Sequence, residues 1–250
     1  TAYRRQRQMC IRDSAMLLLE EDHILLTADN VLGKGSTVFE DLVLYMYSLQ
    51  RGLSLLQTCK PTPLGVSGTP TTGMAGENVL FPGHGPVIPK GKETLRRYMR
   101  HRIEREEQLL ALFMCHPSDK QGLMQATAYP QAYLEKTRGR VRPGQHLWTL
   151  RQFVHTLYEN YSLTAYPAVA RGLLLHLQKL ATPTSDYANP PFPLTEPLLT
   201  SSFASHPPVV QCIRIPSYQY SGIRHYPDLA RNEKEWGELL DVPWQLVSLM

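Results

Sequence analysis

The sequence predicts an α/β unit followed by a mainly helical, winged-helix-like domain. Three observations lead there. Short apolar runs bounded by turn residues at 16–20, 24–27 and 79–81 read as strands. Two amphipathic stretches, one opening near Phe39 and one running from Lys90 to about Cys115, repeat apolar residues at three- and four-residue steps. Further on, two helical patterns stand close together on either side of a short turn before Pro167, in the manner of a helix-turn-helix. The bulk figures agree, since 42% hydrophobic and 19% charged residues in 250 positions mark a chain that buries a core.

The elements follow in chain order. Residues 1–14, TAYRRQRQMCIRDS, have no usable period, and the pattern turns apolar abruptly at Ala15. Gln6 to Ser14 can be written in codons as CAGAGACAGATGTGTATAAGAGACAG, which resembles a transposase-end sequencing adapter. This stretch is set aside as a non-native artefact, with the expectation that the authentic protein began further upstream and the chain is a fragment. The runs at 16–20 and 24–27 flank Glu21, Asp22 and His23 as a hairpin. Met16, Leu18, Leu25 and Val79 are expected to form one sheet face that lacks a partner layer. Thr37 and Glu40 make a capping-box pattern for a helix whose buried face is Phe39, Leu42, Val43, Met46, Leu49 and Leu53.

Residues 60–77, rich in Pro, Gly and Thr, read as a surface insertion. The long helix from Lys90 buries Leu95, Met99, Ile103, Leu110 and Phe113 and wets Arg96, Arg97, Arg100, Glu104, Arg105 and Glu107. Residues 118–144 read as a connector with a short helix near 123–133. Leu150, Phe153, Val154, Leu157, Tyr158 and Tyr161 mark the next helix, and Pro167 suits the first turn of another ending near Ala181. Seven prolines in residues 182–208 indicate a linker, before a strand at 209–215 and a short helix at 232–240. The domain limits so drawn are 15–116 for the α/β unit, 117–181 for the helical domain and 182–250 for a Pro-rich extension.

Charge is unevenly spread over a net of +4. Residues 90–142 carry twelve basic against six acidic positions, which suits an anionic partner, either RNA or an acidic carrier protein, or else a solvated helix face with i,i+4 ion pairs. Tyr98 is the only aromatic among the basic positions up to Arg105, so a platform for stacked single-stranded bases is not visible. The paired helices carry only Arg151, Arg171 and Lys179, which argues against sequence-specific DNA binding. Cys10, Cys59, Cys115 and Cys212 form no C-x-x-C pair, arguing against a disulfide framework or a zinc ribbon and for a reducing compartment. The longest apolar runs, at 15–19 and 172–175, are too short to span a bilayer, so no membrane partner is expected.

Two places have the residue types of a site. Asp29 stands at the end of an apolar strand before glycine-rich turns, where a carboxylate is reachable by a metal ion. His84 sits in Pro82-Gly83-His84-Gly85-Pro86, where glycines permit close backbone approach and prolines stiffen the loop. Each alone is more often a turn cap or a polar loop residue.

In order and in detail the two resemble the C-terminal half of a metallo-β-lactamase-fold hydrolase. Asp29-Asn30-Val31-Leu32-Gly33, then Gly35-x-Thr37-Val38-Phe39-Glu40-Asp41-Leu42, then residues 82–88, then Tyr98-x-x-His101-Arg102-x-x-Arg105-Glu106-x-Gln108 are similar to one subgroup. It comprises β-lactamase-like proteins with a C-terminal winged-helix domain, among them a mitochondrial endoribonuclease and fungal thioesterases that release polyketides. The resemblance covers roughly residues 15–181. It implies the C-terminal part of an αββα sandwich and hydrolysis assisted by two zinc ions, with Asp29 bridging both metals and His84 completing the second. His101 is implied to be structural, and Ala28 stands where many relatives have Gly.

The family's first cluster, H-x-H-x-D-H, has no counterpart in this chain, and another upstream His would fall just before Ser14. The other histidines, His23, His101, His116, His146, His155, His176, His206 and His225, are dispersed without ligand spacing. The substrate expected is an acyl thioester, small or borne on an acyl-carrier protein, as in polyketide biosynthesis, because the insertion-bearing, Pro-rich pattern is similar to the fungal relatives. The alternatives are an endoribonuclease acting on single-stranded RNA and a catalytically inactive fragment. The expected compartment is the cytoplasm, with the mitochondrion as the alternative.

Overall fold

The computed structural model describes residues 15–20, 24–35, 37–58, 78–137, 140–142, 144–181, 210–212, 240–241 and 243–246. The adapter-like stretch 1–14, the hairpin turn 21–23, the insertion 60–77, the linker 182–208 and most of the helix expected at 232–240 lie outside the described residues. The described chain forms two compact units, one ending at His101 and the other beginning at Arg102.

The first unit is built on a three-stranded sheet of β1 (Leu17–Leu19), β2 (Ile24–Ala28) and β3 (Val79–Pro82), in the order β1-β2-β3. β1 runs antiparallel to β2, with Leu18 opposite Leu25, whereas β3 runs parallel to β2, with Leu25 beside Leu80. Side chains alternate along a strand, so Leu18, Leu25 and Leu80 share one face. Leu25 and Leu80 are fully buried there, each burial worth about 1.5–3 kcal/mol.

The expected sheet face needs correcting on two counts. Val79 pairs with Ile24, not Leu25, and so lies on the opposite side of the sheet. Nor does the Leu25 face lack a covering layer. Helix α1 (Leu42–Thr58) meets it at Gly52, where an added Cβ would lie 3.1 Å from Met16 Sδ, 3.2 Å from Leu25 Cδ2 and 3.7 Å from Leu95 Cδ1 of helix α2 (Gly91–Phe113). Met16, Leu49, Leu53, Leu56, Leu95 and Met99 are buried with it. The opposite face carries Leu17, Leu19, Ile24, Leu26, Val79 and Phe81, of which Leu17 and Phe81 are each 37% exposed.

The cap of α1 also differs from expectation. The helix starts at Leu42, five residues after Thr37, so Asp41 takes the capping position and its Oδ1 accepts the Leu44 N–H at 2.9 Å. Thr37 instead shares a hydrogen bond with the Tyr45 hydroxyl at 3.0 Å, while Phe39 stacks on the Tyr45 ring with centroids 4.6 Å apart.

The second unit takes up the remainder of α2. Leu109 to Cys115 are all buried, and the amphipathic pattern of the preceding turns ends there. Residues 118–144, read as a connector, hold two helices, α3 (Lys120–Ala128) and α4 (Pro130–Thr137). Asp119 caps α3 through its Oδ1 to the Gly122 N–H, and Pro130 opens α4 where its missing N–H costs nothing. Glu107, expected in water, is buried and accepts a hydrogen bond from Gln131 Nε2 at 3.1 Å, because α4 packs over that side of α2.

Strand β4 (Leu147–Thr149) leads straight into α5 (Leu150–Leu157), which opens with a full capping box between Thr149 and Gln152. A 3-10 turn at Leu163–Ala165 precedes α6 (Tyr166–Ala181), with Pro167 in its first turn. Strands β5 (Val210–Cys212) and β6 (Pro243–Leu246) complete an antiparallel sheet of order β4-β6-β5, pairing Trp148 with Trp244. Trp148 stacks on Phe153 at 4.9 Å and donates its indole N–H to the Cys115 carbonyl at 3.1 Å. Among the described residues no helix is long and apolar enough to cross a membrane.

Two buried charges tie α6 to α2. Lys179 Nζ donates to Glu106 Oε2 at 2.6 Å, with the two side chains 6% and 3% exposed. A buried ion pair is weak evidence for net stability, but removing one partner strands the other charge. Lys179→Met is therefore expected to cost about 3–5 kcal/mol in denaturant unfolding, and adding Glu106→Leu to recover most of it. Equal losses in the single and double variants would show that the lysine's packing, not its charge, matters.

His146 supplies a pH dependence. Its pKa is lowered, chiefly by burial and next by the neighbouring His116, whose ring lies edge-on at 5.6 Å. The unfolded chain thus takes up this proton at a higher pH than the native chain. Stability from His146 is present above about pH 6.5 and falls as the pH drops below that through the lower native pKa. Thermal unfolding should lose midpoint between about pH 7 and about pH 5, and His146→Gln should flatten that part of the profile.

Candidate active site

Two loops leave the same end of the parallel strands and place Asp29 directly after β2 and His84 two residues after β3. Ala28 makes the turn possible by taking φ of 46°, a left-handed conformation that costs a residue with a Cβ about 1–3 kcal/mol. The loops are then laced together by backbone hydrogen bonds. Gly83 N donates to the Ala28 carbonyl at 2.8 Å, and Gly33 N donates to the His84 carbonyl at 3.0 Å. His84 Nδ1 and Asp29 Oδ1 come to 2.8 Å, with side chains 76% and 47% exposed.

Glycine is required at two of these close approaches. A Cβ on Gly33 would fall 2.2 Å from the Pro86 carbonyl oxygen, and one on Gly83 would fall 2.7 Å from Asp29 Oδ1. Gly83 thus leaves the room in which the carboxylate lies.

Hydroxyls hold the Asp29 loop from behind. Thr27 Oγ1 donates to the Val31 carbonyl at 3.0 Å. Tyr45 on α1 donates to the Asn30 carbonyl at 2.9 Å. Tyr98 on α2 donates to the Leu32 carbonyl at 3.1 Å and accepts from the Leu32 N–H at 3.3 Å. Of these, only Tyr98 belongs to the helix motif quoted from the sequence. Tyr45 sits within an apolar run, and no spacing rule singles it out.

The fold brings Asp29 and His84 together, and His101 lies exposed on α2 outside their contact. A carboxylate oxygen and an imidazole nitrogen are donor types that suit a zinc ion. With Nδ1 and Oδ1 facing each other, His84 Nε2 and Asp29 Oδ2 make no other hydrogen bond among the described residues. The pair thus fits a cation as two donors. Among the described residues no group of three His, Cys, Asp or Glu side chains that could hold a metal ion assembles.

Part of the chain is similar in sequence to known proteins. The chain is 36% identical over 104 residues to the beta-lactamase-like protein 2 homolog of Caenorhabditis elegans, covering 42% of this chain and 28% of that one. It is 35% identical over 113 residues to thioesterase pkgB of Emericella nidulans, 44% of this chain and 27% of that one. It is 31% identical over 170 residues to the lactamase-like protein nscB of Arthroderma otae, 68% of this chain and 39% of that one. A metallo-beta-lactamase family protein of Thermus thermophilus superposes with a TM-score of 0.29 at 24% identity, over 52% of this chain and 41% of its own, a likeness too partial to define a fold. No family model matches. A mixed α/β unit with an Asp–His pair at parallel strand ends is the class in hand, and by its relatives the chain belongs to the metallo-β-lactamase superfamily. It spans between 27% and 39% of the length of these curated relatives.

The two glycines should respond differently to alanine. Gly33→Ala forces backbone at Pro86 to move and is expected to lower the unfolding midpoint. Gly83→Ala meets Asp29 Oδ1 at 2.7 Å and the Ala28 backbone only at 3.2 Å, so it should lower the midpoint less than Gly33→Ala while displacing Asp29 from His84. Calorimetry and the ring nitrogen shifts of His84 test this, and an unmoved His84 signal in Gly83→Ala would count against the cradle.

Proposed function

We propose that the intact protein is a metal-dependent hydrolase of metallo-β-lactamase type acting on an acyl thioester, and that this chain contributes Asp29 and His84 to its metal site. The observation that carries the reading is the 2.8 Å convergence of these two side chains at the ends of parallel strands. The contact between Nδ1 and Asp29 Oδ1 supports the reading, because in the tautomer that donates from Nδ1 the Nε2 lone pair is available to a cation. Zinc, two ions in the intact protein, is the cofactor this reading calls for, and Asp29 and His84 are the residues of this chain that would hold it. When bound, the metal supplies Lewis acidity to the scissile group. The chain's own part is to fix the two donors, which the glycine cradle and the tyrosine hydroxyls do before any ligand arrives.

Two further features support the reading. The apolar sheet face that includes Leu26 and Phe81 is suited to the second sheet of an αββα sandwich. In the second unit, the element order α4-β4-α5-α6-β5-β6 and the sheet order β4-β6-β5 support the winged-helix reading. Arg171 and Lys179 are buried there and Arg151 is bonded to Asp241 at 2.7 and 3.1 Å, which supports a role other than reading DNA. The thioester preference draws on the similarity to a fungal thioesterase.

One observation favours single-stranded RNA as the second reading. The Arg105 guanidinium lies 4.6 Å over the Tyr158 ring, and Tyr161, 57% exposed, packs edge-on at 5.0 Å. A cation beside an exposed aromatic, here Tyr161, is what stacked bases use, and the fold assembles the group from residues far apart in sequence.

In the intact protein Asp29→Ala and His84→Ala are each expected to lower hydrolysis by more than about 100-fold, the upper cost of disturbing only the outer partners of metal ligands. Asp29→Ala should lose more, and metal content should fall in both. The 250-residue chain by itself should retain little zinc after dialysis and hydrolyse nothing measurable. Acyl thioester and RNA should be offered side by side. RNA cleavage that collapses in both variants, with thioester turnover at background, replaces the first reading by the second.

A further inference from the structure

The exposed side of the first turns of α2 carries more cations than counter-charges. From Lys90 to His101 the chain has Lys90, Lys92, Arg96, Arg97 and Arg100 against Glu93 alone. Arg96, Arg97 and Arg100 are exposed, and none lies within 4.0 Å of a carboxylate among the described residues. The one ion pair in the stretch, Lys90 to Glu93, is long at 3.9 Å and exposed at both ends, so it adds little.

Lys92, Arg96 and Arg100 fall at i, i+4 and i+8, which makes them a row about 12 Å long on one side of the helix. Like charges at that spacing destabilise a helix by about 0.2–0.5 kcal/mol per pair. Glu93 and Glu104 stand four positions from Arg97 and Arg100, but neither arginine comes within 4.0 Å of a carboxylate among the described residues.

The row is joined to the candidate site within the first unit. α2 begins at Gly91, just past the loop that holds His84, and its Gly91 N–H is bonded to the Asn78 carbonyl at 2.8 Å. Tyr98, between Arg97 and Arg100, clamps Leu32, three residues beyond Asp29. A partner seated on the row is thereby held in fixed relation to Asp29 and His84.

We propose that this row docks an acidic protein surface that carries the thioester substrate; the proposal rests on the thioesterase reading above. The length of the row favours a protein over a single compact diphosphate such as that of coenzyme A. Nucleic acid is disfavoured because the only aromatic between Lys90 and His101 is Tyr98, whose hydroxyl is committed to Leu32.

The test uses the whole chain, with R96E/R100E as the reversed variant and R96K/R100K as the conservative one. Fluorescence anisotropy measures binding of a labelled acidic acyl-carrier protein, coenzyme A and a short oligouridylate at low and physiological salt. Both substitutions are on exposed positions, and circular dichroism checks that the helix persists. The expected result is carrier binding that weakens with salt, falls at least about tenfold in R96E/R100E and persists in R96K/R100K, with coenzyme A unaffected. Absence of carrier binding, or equal affinity in the reversed variant, overturns the proposal. So does oligouridylate binding that is tighter than the carrier's and is lost on reversal, which makes the row a nucleic-acid site. Binding needs no turnover, so the two failures separate. Carrier bound to the row of an intact protein that hydrolyses no thioester sinks the activity. Hydrolysis of a small soluble thioester with no carrier binding sinks the docking alone.

Discussion

Parallel pairing of β2 with β3, in the register that sets Leu25 beside Leu80, carries the candidate site. Asp29 and His84 are 55 positions apart, and no local preference joins them. Burying Leu25 and Leu80 on one face fixes the register, which sets Ala28 beside Pro82 and lets the Gly83 N–H reach the Ala28 carbonyl. A slip of one residue would turn Leu80 out of the core and carry His84 about 3.3 Å along the strand. The force that positions the two polar side chains is hydrophobic, although what it positions is chemical.

Backbone detail then sharpens what the register permits. Ala28 accepts a left-handed turn, and the strain is offset by hydrogen bonds on both sides of it. Gly33 and Gly83 let two loops lie closer than side chains allow. Tyr45 and Tyr98 reach in from different helices to carbonyls one and three residues past Asp29. Each hydroxyl is worth only about 0.5–1.5 kcal/mol, yet together they remove freedom from a loop that would otherwise move its carboxylate.

Helix α2 shows how one pattern changes meaning along its length. Up to Arg100 it is amphipathic, with Leu95 and Met99 buried and the arginines in water. From Leu109 to Cys115 every residue is buried, and just before that stretch Glu106 and Glu107 are buried with polar partners. Glu107, which a single-face reading places in solvent, is instead bonded to Gln131 of α4, and Glu106 to Lys179 of α6, while Glu104 is exposed as that reading expects.

Strands β1, β2, β3 and β5, the helix faces of α1 and of α5 up to Leu157, the first turn of α6 and the residue types of the site were legible in the sequence, because local periodicity and turn chemistry act over a few residues, whereas the short strands β4 and β6 were not. Asp29 and His84 were nameable from their loops and from family resemblance, but their contact was not, since it depends on a long-range register. The same holds for the cap of α1, where Thr37 has the right pattern and Asp41 the right place. It holds for Glu107 and for Val79, whose surroundings are decided by which element packs against them. The aromatic neighbours of Arg105 lie more than fifty positions away and meet it only when α5 folds back on α2. Sequence by itself determined the elements and the chemistry available to them, through short-range propensities. Tertiary structure decided which of those groups meet, because burial of apolar surface selects one pairing among the many that local preferences allow.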